Sequence, residues 1–192
     1  MKITPLEISG AWLVETKRFA DDRGHFQENF KLSTIQAETG FDFRVKQVNQ
    51  SMSAAGVVRG IHWADAPPGQ AKYVTVQAGA IYDVVVDLRE SSPTFGHWQG
   101  VELSAENGHA LLIGNGLGHA FLSLANNTLV TYLCSEEFNA PVERGINPLD
   151  PAIGIDFAAQ AASLGISTLI LSPKDEGAPF LAEVRESGLL PS

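Results

Sequence analysis

Short β-forming runs recur along the whole chain, each closed within a few residues by a turn signal, and that rhythm leaves few folds open. The runs are Ala11–Thr16, His25–Phe30, Phe43–Ser51, Val57–Trp63, Tyr73–Gln77, Ile81–Leu88, Gly100–Leu103, Ala110–Ile113, Ala120–Leu124 and Thr128–Cys134. Between them stand Asp22-Arg23-Gly24, Ala66-Pro67-Pro68-Gly69, Ser91-Ser92-Pro93, Glu106-Asn107-Gly108 and Ala125-Asn126-Asn127. Glycine, proline, asparagine and aspartate clusters of this kind end strands and reverse the chain. Many short strands so spaced predict an all-β sandwich or barrel. Two short helices are predicted at the periphery: one after an N-cap at Ser33 that stops at Gly40, the other from about Ala178 to Ser187 with Gly188 behind it. No repeat, low-complexity tract or linker divides the chain, so residues 1–192 are read as a single domain.

Composition narrows the function. With 192 residues, 44% apolar and 18% charged, the chain can bury a core and is not a disordered segment. A net charge of −9 argues against nucleic acid and anionic membrane surfaces as partners. Only thirteen lysines and arginines are present, so an anionic ligand could be held only where they converge. Cys134 is the one cysteine, which removes an intrachain disulfide and a cysteine-based metal cluster. The N-terminus lacks the apolar core of a secretion signal, and no apolar run approaches the roughly 20 residues of a membrane helix. The expected location is the cytoplasm.

One set of residues points to a reaction. His62, Lys72, Tyr132 and Asp175 are the parts needed to move a proton on a carbon beside a ketone. A neutral histidine serves as base because its ordinary pKa of about 6.5 lies near working pH. An aspartate beside it fixes the tautomer and stabilises the imidazolium. A lysine ammonium stabilises the developing enolate oxygen. A tyrosine can return a proton from the opposite face, which inverts the carbon without any cofactor or metal. Each residue also has a bland reading: a satisfied strand histidine, a solvated lysine, a core tyrosine. Period-2 alternation puts Lys72, Val74 and Val76 on one strand face, but it sends Arg59 and His62 to opposite faces. Both can line one site only if a bulge intervenes, and Gly60 is the place for it.

The chain resembles the dTDP-4-dehydrorhamnose 3,5-epimerase family. The resemblance runs through Phe19-Ala20-Asp21-Asp22-Arg23-Gly24-His25-Phe26-Gln27-Glu28, Gln47-Val48-Asn49, Val58-Arg59-Gly60-Ile61-His62 and Gln70-Ala71-Lys72. It continues in Asp83–Arg89, Ser91–Gly96, Val101–Asn107, Gly118-His119-Ala120-Phe121 and Leu171-Ser172-Pro173-Lys174-Asp175, in order and over nearly the full length. It implies an all-β jelly roll of the cupin type with a few peripheral helices. It implies His62 as proton acceptor with Asp175 as partner, Tyr132 as proton donor and Lys72 facing the C4 oxygen. Arg23, Glu28, Gln47, Asn49, Arg59, His119, Glu143 and Lys174 fall on substrate-contacting positions, several toward the nucleotide of a dTDP-4-keto-6-deoxy sugar. The family implies a homodimer whose N-terminal region helps build the neighbour's site. Phe19 or Phe26 could stack on thymine, or both could simply pack in the core.

The chain also departs from its relatives. Many dual epimerases carry a tyrosine six residues after the donor, where this chain has Phe138. The lost hydroxyl bears on whether C3, C5 or both are inverted, which leaves a mono-epimerase of an antibiotic-sugar pathway as the alternative. Trp63 and Gln50 stand where tyrosine and histidine are common. A metal-dependent cupin is the competitor by fold, but the paired histidine after His62 is missing, since Trp63 and Ala64 follow. A non-catalytic sugar-nucleotide-binding cupin would have lost part of the proton-transfer set. The glycines of Gly114-Asn115-Gly116-Leu117-Gly118 lack a dinucleotide-binding context. Asp87-Leu88-Arg89 reads as a strand end closed by a salt bridge.

Overall fold

Two antiparallel sheets face each other in the computed structural model, which describes residues 1–191. The first is ordered β1 (Lys2–Pro5), β2 (Ala11–Glu15), β10 (His109–Ile113), β7 (Lys72–Ala78), β12 (Thr128–Cys134), β5 (Gln47–Ser53). The second is ordered β13 (Glu143–Gly145), β6 (Val58–Ala64), β11 (Leu117–Ser123), β8 (Ala80–Asp87), β9 (Trp98–Ser104). A separate hairpin pairs β3 (Arg18–Asp21) with β4 (Gly24–Gln27). This is the cupin-like jelly roll that the strand rhythm and the resemblance led us to expect.

Alternation along the strands sorts the side chains into three apolar layers. Val74 and Val76 of β7, Val130 of β12, Leu111 and Ile113 of β10, and Val85 and Phe121 of β8 and β11 meet between the sheets. The next residues along face outward. Val84 and Val86 of β8 and Ala120 and Leu122 of β11 are covered by Ile146, Ile153, Phe157, Leu181 and Val184. On the other side, Tyr73, Ala110 and Leu112 are covered by Ile35 and Phe43. Both faces of each sheet are therefore buried over much of their area. The strands consequently read as apolar runs, as in Ile81–Leu88, rather than as alternating ones.

Several boundaries differ from the sequence reading. Phe43 is not strand; it is fully buried as an anchor of the outer layer, and β5 begins only at Gln47. Three short strands, β1, β3 and β13, carried no run long enough to be read. Helix α1 (Leu32–Thr39) ends at Gly40 as expected, with φ +71°, but its N-cap is Lys31 without a side-chain cap. Ser33 lies inside the helix, because burial of Ile35 rather than a cap fixes the first turn. Helix α4 spans Leu181–Glu186, three residues later than predicted, because the Phe180 N–H donates to Glu183 Oε2 (2.7 Å) and starts the helix there. Two further helices, α2 (Phe157–Ser163) and α3 (Pro173–Glu176), start at Asp156 and Ser172, whose side chains accept backbone N–H groups.

The bulge expected at Gly60 is present. In the β6–β11 pairing His62 faces His119 and Arg59 faces Phe121, so three steps on β6 match two on β11. The extra residue turns Arg59 and His62 to the same side. Only glycine fits there: φ is +119°, and a Cβ would lie 2.5 Å from the His119 carbonyl oxygen. The turn at Asp87 is closed as predicted, with Arg89 Nη2 2.7 Å from Asp87 Oδ2 and both Ser92 and Thr94 hydroxyls donating to the same oxygen.

Candidate active site

The space between the sheets opens into a cavity of about 230 Å³ lined by Ser51, Arg59, His62, Lys72, His119, Phe121, Tyr132, Ser172, Lys174 and Asp175. The two walls carry different chemistry. From the five-stranded sheet come Arg59, His62 and His119; from the six-stranded sheet come Ser51, Lys72 and Tyr132. The chain between β13 and the C-terminus returns past β6, and α3 sets Ser172, Lys174 and Asp175 over the rim beside His62.

His62 Nε2 lies 2.6 Å from Asp175 Oδ1. Asp175 is 5% exposed and sits in the first turn of α3, where its own N–H donates to Ser172 Oγ (3.1 Å). Burial pushes its carboxyl up. Hydrogen bonds from His62, Ser172 and the Gly60 N–H, with the charge of His62, outweigh burial and hold it below the usual carboxylate range. An ionised aspartate fixes the ring and can support an imidazolium. Lys72 is 7% exposed, and burial draws its ammonium down from the usual lysine value, against the pull of Cys134 and Glu143. Burial raises the phenol of Tyr132, so it is protonated at neutral pH and able to donate.

A second His–Asp pair stands beside the first. His119, cross-strand neighbour of His62, has Nε2 2.6 Å from Asp83 Oδ1. Asp83 is fully buried, its carboxyl is raised by that burial, and its Oδ2 has no hydrogen-bond partner. Arg59 is held by Ser53 Oγ (3.2 Å) and the Met52 carbonyl (3.3 Å). Arg59, Lys72 and Lys174 bring three cations to a cavity whose one acidic lining residue is Asp175. In a chain of net charge −9, that is a local inversion of sign suited to an anionic ligand.

The structure thus brings together His62, Lys72, Tyr132, Asp175, Arg59, His119 and Lys174. It leaves others outside the cavity wall. Gln47 and Asn49 lie on β5 against Cys134 and Tyr132. Glu143, at the start of β13, lines an adjacent hollow with Glu136 and Glu137. The Phe138 ring is 63% exposed. Arg23 is paired with Asp21 at the hairpin tip, and Glu28 is exposed just after β4. Phe19 and Phe26 pack on each other, ring centroids 6.4 Å apart, with the Lys17 ammonium 5.0 Å from the Phe19 ring, and are 49% and 65% exposed, which corrects the core-packing alternative for them. Sequence reasoning missed Ser51, Phe121, Ser172 and Asp83. Ser51 was reachable, since it continues the inward period-2 series Gln47, Asn49, Ser51. Asp83 was flagged only by being a carboxylate inside an apolar run. Among the described residues no group of three or more His, Cys, Asp and Glu side chains has metal-binding geometry.

A jelly roll with a His–Asp pair on one wall, and a phenol and an ammonium on the other, has the parts a proton-transfer isomerase needs. The family described as dTDP-4-dehydrorhamnose 3,5-epimerase matches residues 5–183. The chain belongs to that family, isomerases acting on carbohydrate. It is 46% identical over 187 residues to a dTDP-4-dehydrorhamnose 3,5-epimerase of Streptomyces griseus, covering 97% of this chain and 90% of that protein. The rmlC epimerase structure from Mycobacterium tuberculosis superposes with a TM-score of 0.94 at 42% identity, covering 100% of this chain and 94% of that one. ChmJ, a 3′-monoepimerase from Streptomyces bikiniensis solved with dTDP-quinovose, superposes with a TM-score of 0.91 at 44% identity, covering 98% and 92%.

Proposed function

We propose that this protein inverts a carbon beside the C4 ketone of a dTDP-4-keto-6-deoxyhexose in deoxysugar biosynthesis. The observation that carries the reading is the opposition of the walls. His62 projects from the five-stranded sheet and Tyr132 from the six-stranded sheet, so a sugar ring between them meets the base on one face and the acid on the other. His62 takes the α-proton and becomes an imidazolium against Asp175. Electron density moves into the C4 oxygen, where the Lys72 ammonium stabilises it. Collapse of the enolate takes the Tyr132 proton from the far face, and the carbon is inverted. Solvent exchange then resets His62 and Tyr132. No cofactor enters the proton balance.

Arg59 and Lys174 are positioned to hold the diphosphate. The chain acts as a homodimer in this reading. The β3–β4 hairpin carries Phe19, Arg23, Phe26 and Glu28 outside its own cavity, and its exposed ring pair suits a nucleobase in the neighbour's site. Arg18 and Gln27 tie the hairpin to the turn between β9 and β10, and a partner subunit covers the ring pair that this chain leaves exposed. The cytoplasm, where nucleotide sugars are made, is the proposed location.

Both a 3,5-epimerase and a 3-epimerase are among the relatives, and Phe138 stands where many dual enzymes have tyrosine. The deciding experiment is turnover of dTDP-4-keto-6-deoxyglucose in deuterated water, read by NMR and mass spectrometry. Deuterium at both C3 and C5 is expected of a dual epimerase. Deuterium at one carbon makes this a mono-epimerase. Binding without exchange at either carbon overturns the catalytic reading in favour of a sugar-nucleotide-binding protein.

A further inference from the structure

Gln47 and Asn49 occupy positions where substrate contact was expected, yet their amides are engaged with each other and with the fold. Gln47 Oε1 accepts the Phe138 backbone N–H (2.8 Å), and Gln47 Nε2 donates to Asn49 Oδ1 (2.7 Å). Asn49 Nδ2 then donates to Cys134 Sγ (3.7 Å). The direction of this ladder is forced from one end. A backbone N–H can only donate, so the Gln47 oxygen must face Phe138 and its NH2 must face Asn49. The Asn49 oxygen is thereby claimed, and the Asn49 NH2 is turned toward β12. In the β5–β12 register Asn49 lies directly across from Tyr132, and Gln47 across from Cys134.

We infer that Gln47 is a positioning residue for the proton donor: anchored on the Phe138 N–H, it fixes the Asn49 amide so that its NH2, not its oxygen, faces the Tyr132 phenol. This rests on the assignment of Tyr132 as the acid. The orientation matters because the two ends of an amide have opposite effects on a phenol. An N–H directed at the phenol oxygen leaves the phenolic proton free for substrate and stabilises the phenolate left after transfer. A carbonyl in its place accepts that proton and holds it. The charge of Arg59 and the Asn49 amide both work against the burial that raises the phenol. Cys134 suits the far end of the ladder, because a thiol is a weak acceptor and does not compete for the amide. The ladder uses the backbone of Phe138 and not its ring, so it is indifferent to the tyrosine-to-phenylalanine change at that position.

The test uses Gln47→Met, which keeps the volume and removes both hydrogen bonds. The phenol of Tyr132 is titrated by ultraviolet difference spectroscopy, each protein against its own Tyr132→Phe counterpart, so that Tyr73 and Tyr82 cancel. The phenol is expected to titrate higher in Gln47→Met by about one pH unit. In turnover, kcat falls about tenfold, its alkaline limb moves up by the same amount, and KM stays within about twofold. Asn49→Ser, which removes the amide, reads the same phenol if Gln47→Met does not fold. An unmoved phenol overturns the inference. So does a rise confined to KM, which makes Gln47 a substrate ligand. The titration does not depend on turnover, so it reports on the ladder even if wild type proves inactive and the epimerase reading itself fails.

Discussion

Two His–Asp pairs lie side by side on neighbouring strands, each closed by a 2.6 Å contact, and they are built for opposite purposes. In His62–Asp175 the histidine side chain is 35% exposed to the cavity, and its carboxylate is supported by Ser172 and the Gly60 N–H. In His119–Asp83 the histidine is 9% exposed, the carboxylate is sealed, and one carboxyl oxygen has no partner. The first carboxyl is held low and the second is raised. Surroundings, not the pair itself, decide whether a histidine can cycle through a charge. The open, hydrogen-bonded pair suits the proposed base; the sealed one is suited to hold a ring still.

Asp175→Asn should break the comparison most sharply. Without the negative charge His62 cannot be stabilised as an imidazolium, and turnover should drop by about 10²–10⁴-fold with KM little changed. An effect below tenfold would mean that Asp175 is structural. Gly60→Ala strikes both pairs at once, since the bulge abuts the backbone of His119 and Ala120 and its N–H serves Asp175. Backbone strain and the clash together should cost roughly 2–5 kcal/mol in denaturant unfolding. A stability close to wild type would show that the bulge relaxes easily.

Asp83→Asn should have the smallest effect, at most about a tenfold loss of turnover through a less well-held His119. Its stability profile should be the more informative readout. The folded-state value of Asp83 is raised, so the folded protein binds the proton more tightly, and stability falls as pH rises from the unfolded value through the folded one. The substitution removes that fall. Asp175 has a depressed folded-state value, so it contributes stability above its unfolded value that is lost as pH drops toward the folded one. Asp175→Asn therefore flattens the acid side instead. Urea unfolding from pH 3 to 7 reads both, and the same sign in the two variants would dissolve the distinction.

Much of this was legible in the residues. Apolar runs and turn signals located most of the strands. The need for Arg59 and His62 to share a face, set against strict alternation, points to the bulge at Gly60. What escaped has physical causes. Short edge strands such as Glu143–Gly145 bury too little to leave a pattern. Helix α2 is announced by a cap at Asp156, but over seven residues only Phe157 and Ala161 face inward, too short a stripe to stand out. The hairpin residues could be named from the resemblance, yet within one chain they lie away from the cavity, because their proposed partner is another subunit. The Gln47–Asn49 ladder was invisible because hydrogen bonding between side chains two apart depends on which way each amide turns, and composition does not record that.

The cationic lining of an otherwise acidic molecule has a kinetic consequence. At low ionic strength, where the Debye length is about 30 Å at 0.01 M, an approaching sugar nucleotide meets the field of the net charge of −9 and is repelled, whereas at physiological ionic strength, with a Debye length of about 8 Å, that repulsion is largely screened. Only close to the mouth do Arg59, Lys72 and Lys174 take over. Capture is therefore short-ranged, a trap rather than a funnel. Added salt should quicken the approach while loosening the hold, so the two effects on kcat/KM oppose each other and the rate should vary little across ionic strengths that would slow an electrostatically steered enzyme.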